Sequence, residues 1–249
     1  MKMNKRLLAV FAHPDDEAFG PGGTLAKYAD EGVEIHLLSA TRGEAGTNTD
    51  VKYKDLSKRL EKKINIGCLR EKELLKSAKI LGIKKVEFLN YIDGTLCNAI
   101  YHDLANKIIR KISIFKPQVV LTTERRGVSG HLDHIALSMI TTYAFLKTGY
   151  PLKLYYYCLP QTMRDKVMDD YFVYFPEGYS DNEITTKIDI EPYWQIKVQA
   201  MQAHKSQMKD VRSILQRWEK YPKVDNFILQ FHRRIKVKFP ENNLFAGIG

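Results

Sequence analysis

Leu7-Leu8-Ala9-Val10-Phe11-Ala12-His13-Pro14-Asp15-Asp16-Glu17 is the stretch that decides the fold of this 249-residue chain: an unbroken apolar run ends on one imidazole and three consecutive carboxylates. A short continuous apolar run is the pattern of a parallel strand buried on both faces, and open α/β sheets bind their ligands just outside the carboxyl ends of such strands. His13 and Asp16 have the donor chemistry that suits zinc, which leaves Asp15 to handle a proton. A charged helix N-terminus would explain the carboxylates through the macrodipole but not the adjacent histidine. For Glu17 taken alone, that helix-terminus explanation is the preferred one. Pro14 is expected to be a rigid turn that fixes where the ligands point.

A second cluster follows another strand pattern. Gln118-Val119-Val120-Leu121-Thr122-Thr123 is apolar and β-branched, and a short loop leads from it to Gly130-His131-Leu132-Asp133-His134. If a helix starts there, the i, i+3 spacing puts His131 and His134 on one face, with Asp133 close enough to orient or charge-balance a histidine. The two clusters together supply three protein ligands and leave a fourth position open for water.

These segments, Ala12 to Glu17, Gly22-Gly23-Thr24 and Gly130 to His134, resemble the LmbE-like, or PIG-L, family of zinc-dependent N-acetylglucosaminyl deacetylases. The likeness extends through Thr41-Arg42-Gly43-Glu44-Ala45-Gly46, Arg70-x-x-Glu73-Leu74, Lys197-x-x-Ala200-x-x-x-His204-x-Ser206-Gln207 and Leu244 to Ile248. It implies that His13, Asp16 and His134 bind the metal, that Asp15 is the general base, and that His131 is the acid or oxyanion-stabilising histidine. Asp133 would hold His131 charged, and Glu44, Arg70 and Asp93 would contact the sugar. A solvated helix charge paired with Glu71 or Glu73 is the competing reading of Arg70. His204 is either a support behind the site or a core-facing helix residue, and stands outside the catalytic set. The implied cofactor is Zn²⁺, although iron, cobalt or manganese accept the same donors. The implied reaction removes an N-acetyl group from an N-acetylglucosamine-containing small molecule or glycoconjugate. Alternatives are a metal-dependent amidase or esterase on another acyl substrate and, further off, a non-catalytic sugar-binding or nucleic-acid-binding protein.

Composition agrees with one enzyme domain over residues 1–249: the length is ample for a sizeable core, and the hydrophobic share of 44% is ordinary. The start, Met1 to Arg6 followed by Leu7 to Ala12, imitates a signal peptide. Its apolar part is only six residues long and runs directly into the metal motif, so a retained segment is expected. No run is long enough to span a bilayer. Cys68, Cys97 and Cys158 are odd in number and widely spaced, which favours a reducing cytoplasm over a disulfide framework. The net charge of +10 reads as a solvated basic surface that also draws in an anionic sugar conjugate. No nucleic-acid signature accompanies it, so no nucleic-acid partner is expected, and a homo-oligomer is left open.

The alternation of elements predicts an α/β, Rossmann-like, mostly parallel sheet flanked by helices, with the active site at the C-terminal edge of its strands. Strands are expected at 6–12, 33–40, 85–90, 118–123 and 153–158. Helices are expected from Leu25 to Asp30, over a long lysine-rich region ending at Leu81-Gly82, from Leu104 to Phe115 and from Leu132 to Leu146. Beyond residue 160 a helix near Tyr193 to Met208 and an edge strand within 227–239 are expected. Asp50 to Lys63 and Pro176 to Asn182 read as loops. The Gly20-Pro21-Gly22-Gly23 segment invites comparison with a phosphate-cradling loop, but three carboxylates precede it. A tight turn and close helix-to-sheet packing are expected there instead.

Overall fold

The computed structural model describes residues 4–46, 56–163 and 176–248. Along the chain run β1 (Arg6–Phe11), α1 (Asp16–Phe19), α2 (Gly22–Asp30), β2 (Glu34–Ser39), α3 (Leu56–Ile80), β3 (Lys85–Phe88), α4 (Tyr101–Phe115), β4 (Val119–Thr123), α5 (Gly127–Gly130) and α6 (Leu132–Lys147). They are followed by β5 (Lys153–Cys158), β6 (Thr186–Asp189), α7 (Trp194–Ala203), α8 (Met208–Trp218) and β7 (Val224–His232). The strands form one sheet in the order β3-β2-β1-β4-β5-β7-β6. The first five are mutually parallel, and β7 pairs antiparallel with both β5 and β6.

β1 divides the core by its two-residue period. Leu7, Ala9 and Phe11 face a layer that contains Leu25 of α2, Leu74 and Ala78 of α3, and Met201 of α7. Leu8, Val10 and Ala12 face the opposite layer, with Leu104, Ile108 and Ile112 of α4 and Leu137 and Ala144 of α6. Burial on both faces is why this strand reads as a solid apolar run rather than an alternating one. The sheet winds one way from β1 through β2 to β3 and the other way from β4 to β5. The reversal therefore lies between β1 and β4, where α/β sheets open a crevice for ligands. Both motif clusters leave the sheet at that crevice.

The predicted glycine packing is present at Gly23, where a Cβ would stand 2.6 Å from Ile190 Cδ1, so α2 can lie close to the segment after β6 only without a side chain there. The structure corrects two other expectations and adds a helix. Residues 56–63, read as loop, are the first turns of α3, while 50–55 lie outside the described residues. The strand expected at an edge within 227–239 is β7, 224–232, and it is internal; the edge is the four-residue β6, which carries no strong strand pattern. A further helix, α8, follows α7 after a short 3₁₀ turn.

Candidate active site

Three backbone devices set the loop after β1. Thr41, just beyond β2, donates its N–H and its hydroxyl to Ala12 O at 3.0 and 2.9 Å. Asp16 Oδ2 accepts the N–H groups of Ala12 and His13 at 3.1 and 2.9 Å. Asp15, the N-cap of α1, sits at φ 112°, in left-handed territory that a residue with a Cβ rarely adopts.

His13 and His134 each have one ring nitrogen committed to an acceptor. His13 Nε2 donates to Asp93 Oδ1 at 2.9 Å and lies 3.3 Å from Asp133 Oδ2. His134 Nδ1 donates to Gly127 O at 3.0 Å. The remaining nitrogens, His13 Nδ1 and His134 Nε2, face each other at 3.1 Å, and Asp16 Oδ1 lies 3.2 Å from His134 Nε2. Two imidazole lone pairs and a carboxylate oxygen therefore converge, an arrangement that calls for a cation among them. Ligands about 2.0–2.1 Å from a tetrahedral zinc stand about 3.3 Å apart, close to the two spacings on the His134 side and shorter than the 3.9 Å from His13 Nδ1 to Asp16 Oδ2, and histidine ligands ordinarily donate their second N–H to a carboxylate or carbonyl. The donor set thus fits a divalent ion. Among the described residues, the groups whose donor atoms all lie within 4.8 Å of one another are His13 with His131 and His134, and His13 with Asp93 and Asp133; Asp16 joins the first through its contact with His134. The second is already occupied by the N–H of His13, which leaves its lone pair on the His134 side.

The electrostatics carry the same demand for positive charge. Burial pushes His13 down, but its hydrogen bonds to Asp133 and Asp93 and the charge of Asp16 outweigh it, and the pKa rises to about 10. Burial likewise opposes the rise of His134 and is overcome by Asp16; Asp16 itself is driven below the usual carboxylate range, against its own burial, by His134 and His13.

Asp15 lies beside this group. Arg70 Nη2 donates to Asp15 Oδ2 at 2.7 Å and to Pro14 O at 2.6 Å, and Nη1 donates to Gly43 O at 3.0 Å. Gly43 has φ 72°, and a Cβ there would stand 2.4 Å from the guanidinium, so the backbone makes room for the arginine. Burial raises the Asp15 carboxyl to about 6, with Arg70 pulling it down and Asp16 pushing it up. His131 caps α6: its Nδ1 accepts the Asp133 N–H at 3.2 Å, which leaves the ring proton on Nε2. Burial, then the charges on His13 and His134, lower it to about 4.

The expectation that Asp133 holds His131 charged is corrected. The Asp133 carboxylate turns to His13 Nε2 and accepts N–H groups from Gly94 at 2.8 Å and Leu96 at 2.9 Å; its charge raises the His131 pKa, but burial and the charges on His13 and His134 lower it further. Arg70 is buried and bound to Asp15 rather than being a solvated partner of Glu71 or Glu73. Asp93, expected at the sugar, holds His13 with one oxygen and the Ala45 N–H with the other. Glu44 is half-buried and accepts the Asp93 N–H at 3.3 Å.

Glu17, expected to be a helix-terminal charge, is instead fully buried and bonded to Asp15 N, Ser77 and His204. No spacing rule links positions 17, 77 and 204. The only hint was that the late His204 segment formed part of the family likeness. Among the described residues, no helix is long and apolar enough to cross a membrane.

The PIG-L family profile, described as GlcNAc-PI de-N-acetylase, matches residues 8–145. The chain is 28% identical to the mycothiol S-conjugate amidase of Streptomyces coelicolor, covering 98% of this chain and 97% of that one. It is 30% identical to the 1D-myo-inositol 2-acetamido-2-deoxy-alpha-D-glucopyranoside deacetylase of Thermobifida fusca, over 82% and 84% of the two chains. The structure resembles that of N,N'-diacetylchitobiose deacetylase from Pyrococcus horikoshii, with TM-score 0.63, 21% identity and coverage of 92% and 85%; at that identity the likeness concerns the fold.

Proposed function

The chain belongs to the PIG-L family, and on that premise we propose that it is a zinc-dependent hydrolase removing the N-acetyl group from an N-acetylglucosamine-containing small molecule or glycoconjugate. The observation that carries this reading is the convergence of His13 Nδ1, His134 Nε2 and Asp16 Oδ1, with the buried Asp15 carboxylate beside them. His13, Asp16 and His134 would hold the ion, which when bound polarises the acetyl carbonyl and makes water acidic near neutral pH.

The chain's own groups do the rest. Asp15, held through Oδ2 by Arg70, takes a proton on Oδ1 from the attacking water as the new C–O bond forms. The proton passes to the sugar nitrogen as the C–N bond breaks, so acetate and a free amine leave. His131, whose Nδ1 accepts the Asp133 N–H, keeps a proton on Nε2 and donates a hydrogen bond from it to the developing oxyanion. Asp93 and Asp133 fix the His13 tautomer and thereby aim Nδ1.

Glu44 remains the sugar-contacting residue of this proposal, while Arg70 and Asp93 support the base and a ligand. With Arg70 bound to Asp15, an anionic conjugate would be favoured by the basic surface alone. The second reading is cleavage of a different amide, favoured by the relative named an amidase. A single domain in a reducing cytoplasm completes the proposal, in keeping with free Cys68, Cys97 and Cys158. Metal-reconstituted protein assayed for free amine on a panel of N-acetylglucosamine conjugates tests it. Release of amine that stops on chelation supports the reading, and no release from any conjugate overturns it.

A further inference from the structure

Asp15 occupies a backbone conformation that its own side chain disfavours, so something must hold it there. Its carbonyl accepts the N–H groups of Ala18 and Phe19 at 3.0 and 2.8 Å, and Arg70 holds its carboxylate. Its N–H has one acceptor, Glu17 Oε2 at 3.0 Å. The other oxygen of Glu17 accepts the Ser77 hydroxyl at 2.5 Å and His204 Nε2–H at 2.7 Å. Glu17 and His204 are both fully buried, where a carboxylate stripped of its donors could not keep its charge or position.

His204 enters from the C-terminal end of α7, outside the stretch matched by the family profile. α7 is itself anchored against α1 and α2, since Lys197 Nζ donates to Gly20 O at 2.6 Å and pairs with Asp225 at 2.7 Å. Past the helix, Ser206 donates its N–H and hydroxyl to Glu73 at 2.8 and 2.6 Å. Arg70, Glu73 and Ser77 lie at i, i+3 and i+7 along α3, so one face of α3 grips both the Asp15 loop and the end of α7.

We propose that Glu17 and His204 are positioning residues for catalysis: the buried His204–Glu17 pair, steadied by Ser77, clamps the Asp15 N–H and thereby holds the base in its left-handed, reaction-ready conformation. This rests on the deacetylase reading and on Asp15 as its base. The C-terminal third of the chain, which contributes no metal ligand in that reading, completes the site from behind. A purely structural role predicts a fall in turnover that tracks lost folding or lost metal; a positioning role predicts a fall in turnover in protein that stays folded and metal-loaded.

The test compares wild type with His204→Leu, His204→Gln and Ser77→Ala in the metal-loaded protein, reading kcat, KM, bound metal per chain and Tm. His204→Leu is expected to lower kcat roughly ten- to a hundredfold, the effect of displacing a reacting group by about 1 Å, with KM and metal content unchanged. His204→Gln, which keeps an N–H for Glu17, is expected to return kcat to within about threefold of wild type. Wild-type kcat in His204→Leu, a fall that tracks metal loss, or no rescue by glutamine overturns the proposal. If His204→Leu does not fold, Ser77→Ala decides: a severalfold fall in kcat at full metal content supports the clamp, and unchanged kcat refutes it. If wild type itself deacetylates none of the conjugates, the parent reading fails. The clamp is then judged by crystal structures of wild type and a folded clamp variant: Asp15 φ near 112° in wild type and relaxed in the variant supports it, and the same φ in both refutes it.

Discussion

Removing the charge of Arg70 should move the pH at which the enzyme switches on. The guanidinium lies 2.7 Å from Asp15 Oδ2 and both groups are buried. With charge centres about 4 Å apart and an effective dielectric near 20, the pair is worth at most about 4 kcal/mol. Arginine beside a carboxylate ordinarily lowers its pKa by about 1–3 units. Asp15 stands at about 6, where burial lifts it and Arg70 restrains it. Arg70→Met should therefore carry it to roughly 7–9. For a two-unit rise, the ionised fraction at pH 7 drops from about nine-tenths to about one-tenth, a loss of roughly tenfold in base. The loss should shrink steadily towards pH 9, because alkali restores the carboxylate in the variant. The assay is kcat/KM against pH for metal-loaded wild type and Arg70→Met; the ion's field acts on both, so the displacement of the acid limb is the readout. An acid limb at the same pH in the two proteins would show that the Arg70 charge does not set the Asp15 pKa. A loss uniform across pH would show that Arg70 acts through Pro14 O and Gly43 O, by position alone.

Other consequences follow from single contacts. His131→Phe should retain the metal and lose on the order of a hundredfold in kcat, as expected for one oxyanion donor; metal analysis beside turnover checks it. For His204, burial lowers the pKa but Glu17 more than reverses it, so the folded value is raised. The stability this supplies is fully present below the unfolded value of about 6.5 and fades as pH rises through the raised folded value. The Tm gap between wild type and His204→Leu should accordingly narrow from pH 6 to pH 9, and a gap that widens would contradict the pairing. Gly23→Ala places a methyl group 2.6 Å from Ile190 and should cost about 1–3 kcal/mol, seen by calorimetry as a Tm several degrees lower.

Much of this architecture was legible because a few segments are locally unambiguous. The run from Leu7 to Phe11 is buried on both faces, and Lys153–Cys158 falls where strand propensity placed it, since three consecutive tyrosines leave little alternative. That His13, Asp16 and His134 come together was legible for a related reason: each follows a strand of the parallel sheet, β1 or β4, at the same edge, so sequence order and spatial order agree. What escaped was non-local or short. The edge strand β6 has four residues, two of them exposed, and only its pairing with β7 makes it a strand. The first turns of α3 are rich in lysine and polar residues and read as loop. Glu17 looked like a helix-terminal charge because the imidazole that binds it is 187 positions away. Asp133 was matched to His131, its near neighbour in sequence, whereas the fold turns its carboxylate across the crevice to His13.

In the proposed reaction a divalent ion on His13, Asp16 and His134, with Asp15 as base, supports the hydrolysis. The most direct measurement strips the purified protein with a chelator, titrates zinc back, and follows acetate release from an N-acetylglucosamine conjugate together with zinc per chain, for wild type, Asp15→Asn and His134→Ala. Wild type should bind one ion and regain turnover in step with it, Asp15→Asn should bind the ion but turn over at least about a hundredfold more slowly, and His134→Ala should fail to retain the ion. Turnover that survives stripping, or Asp15→Asn working at the wild-type rate, would contradict the proposed reaction.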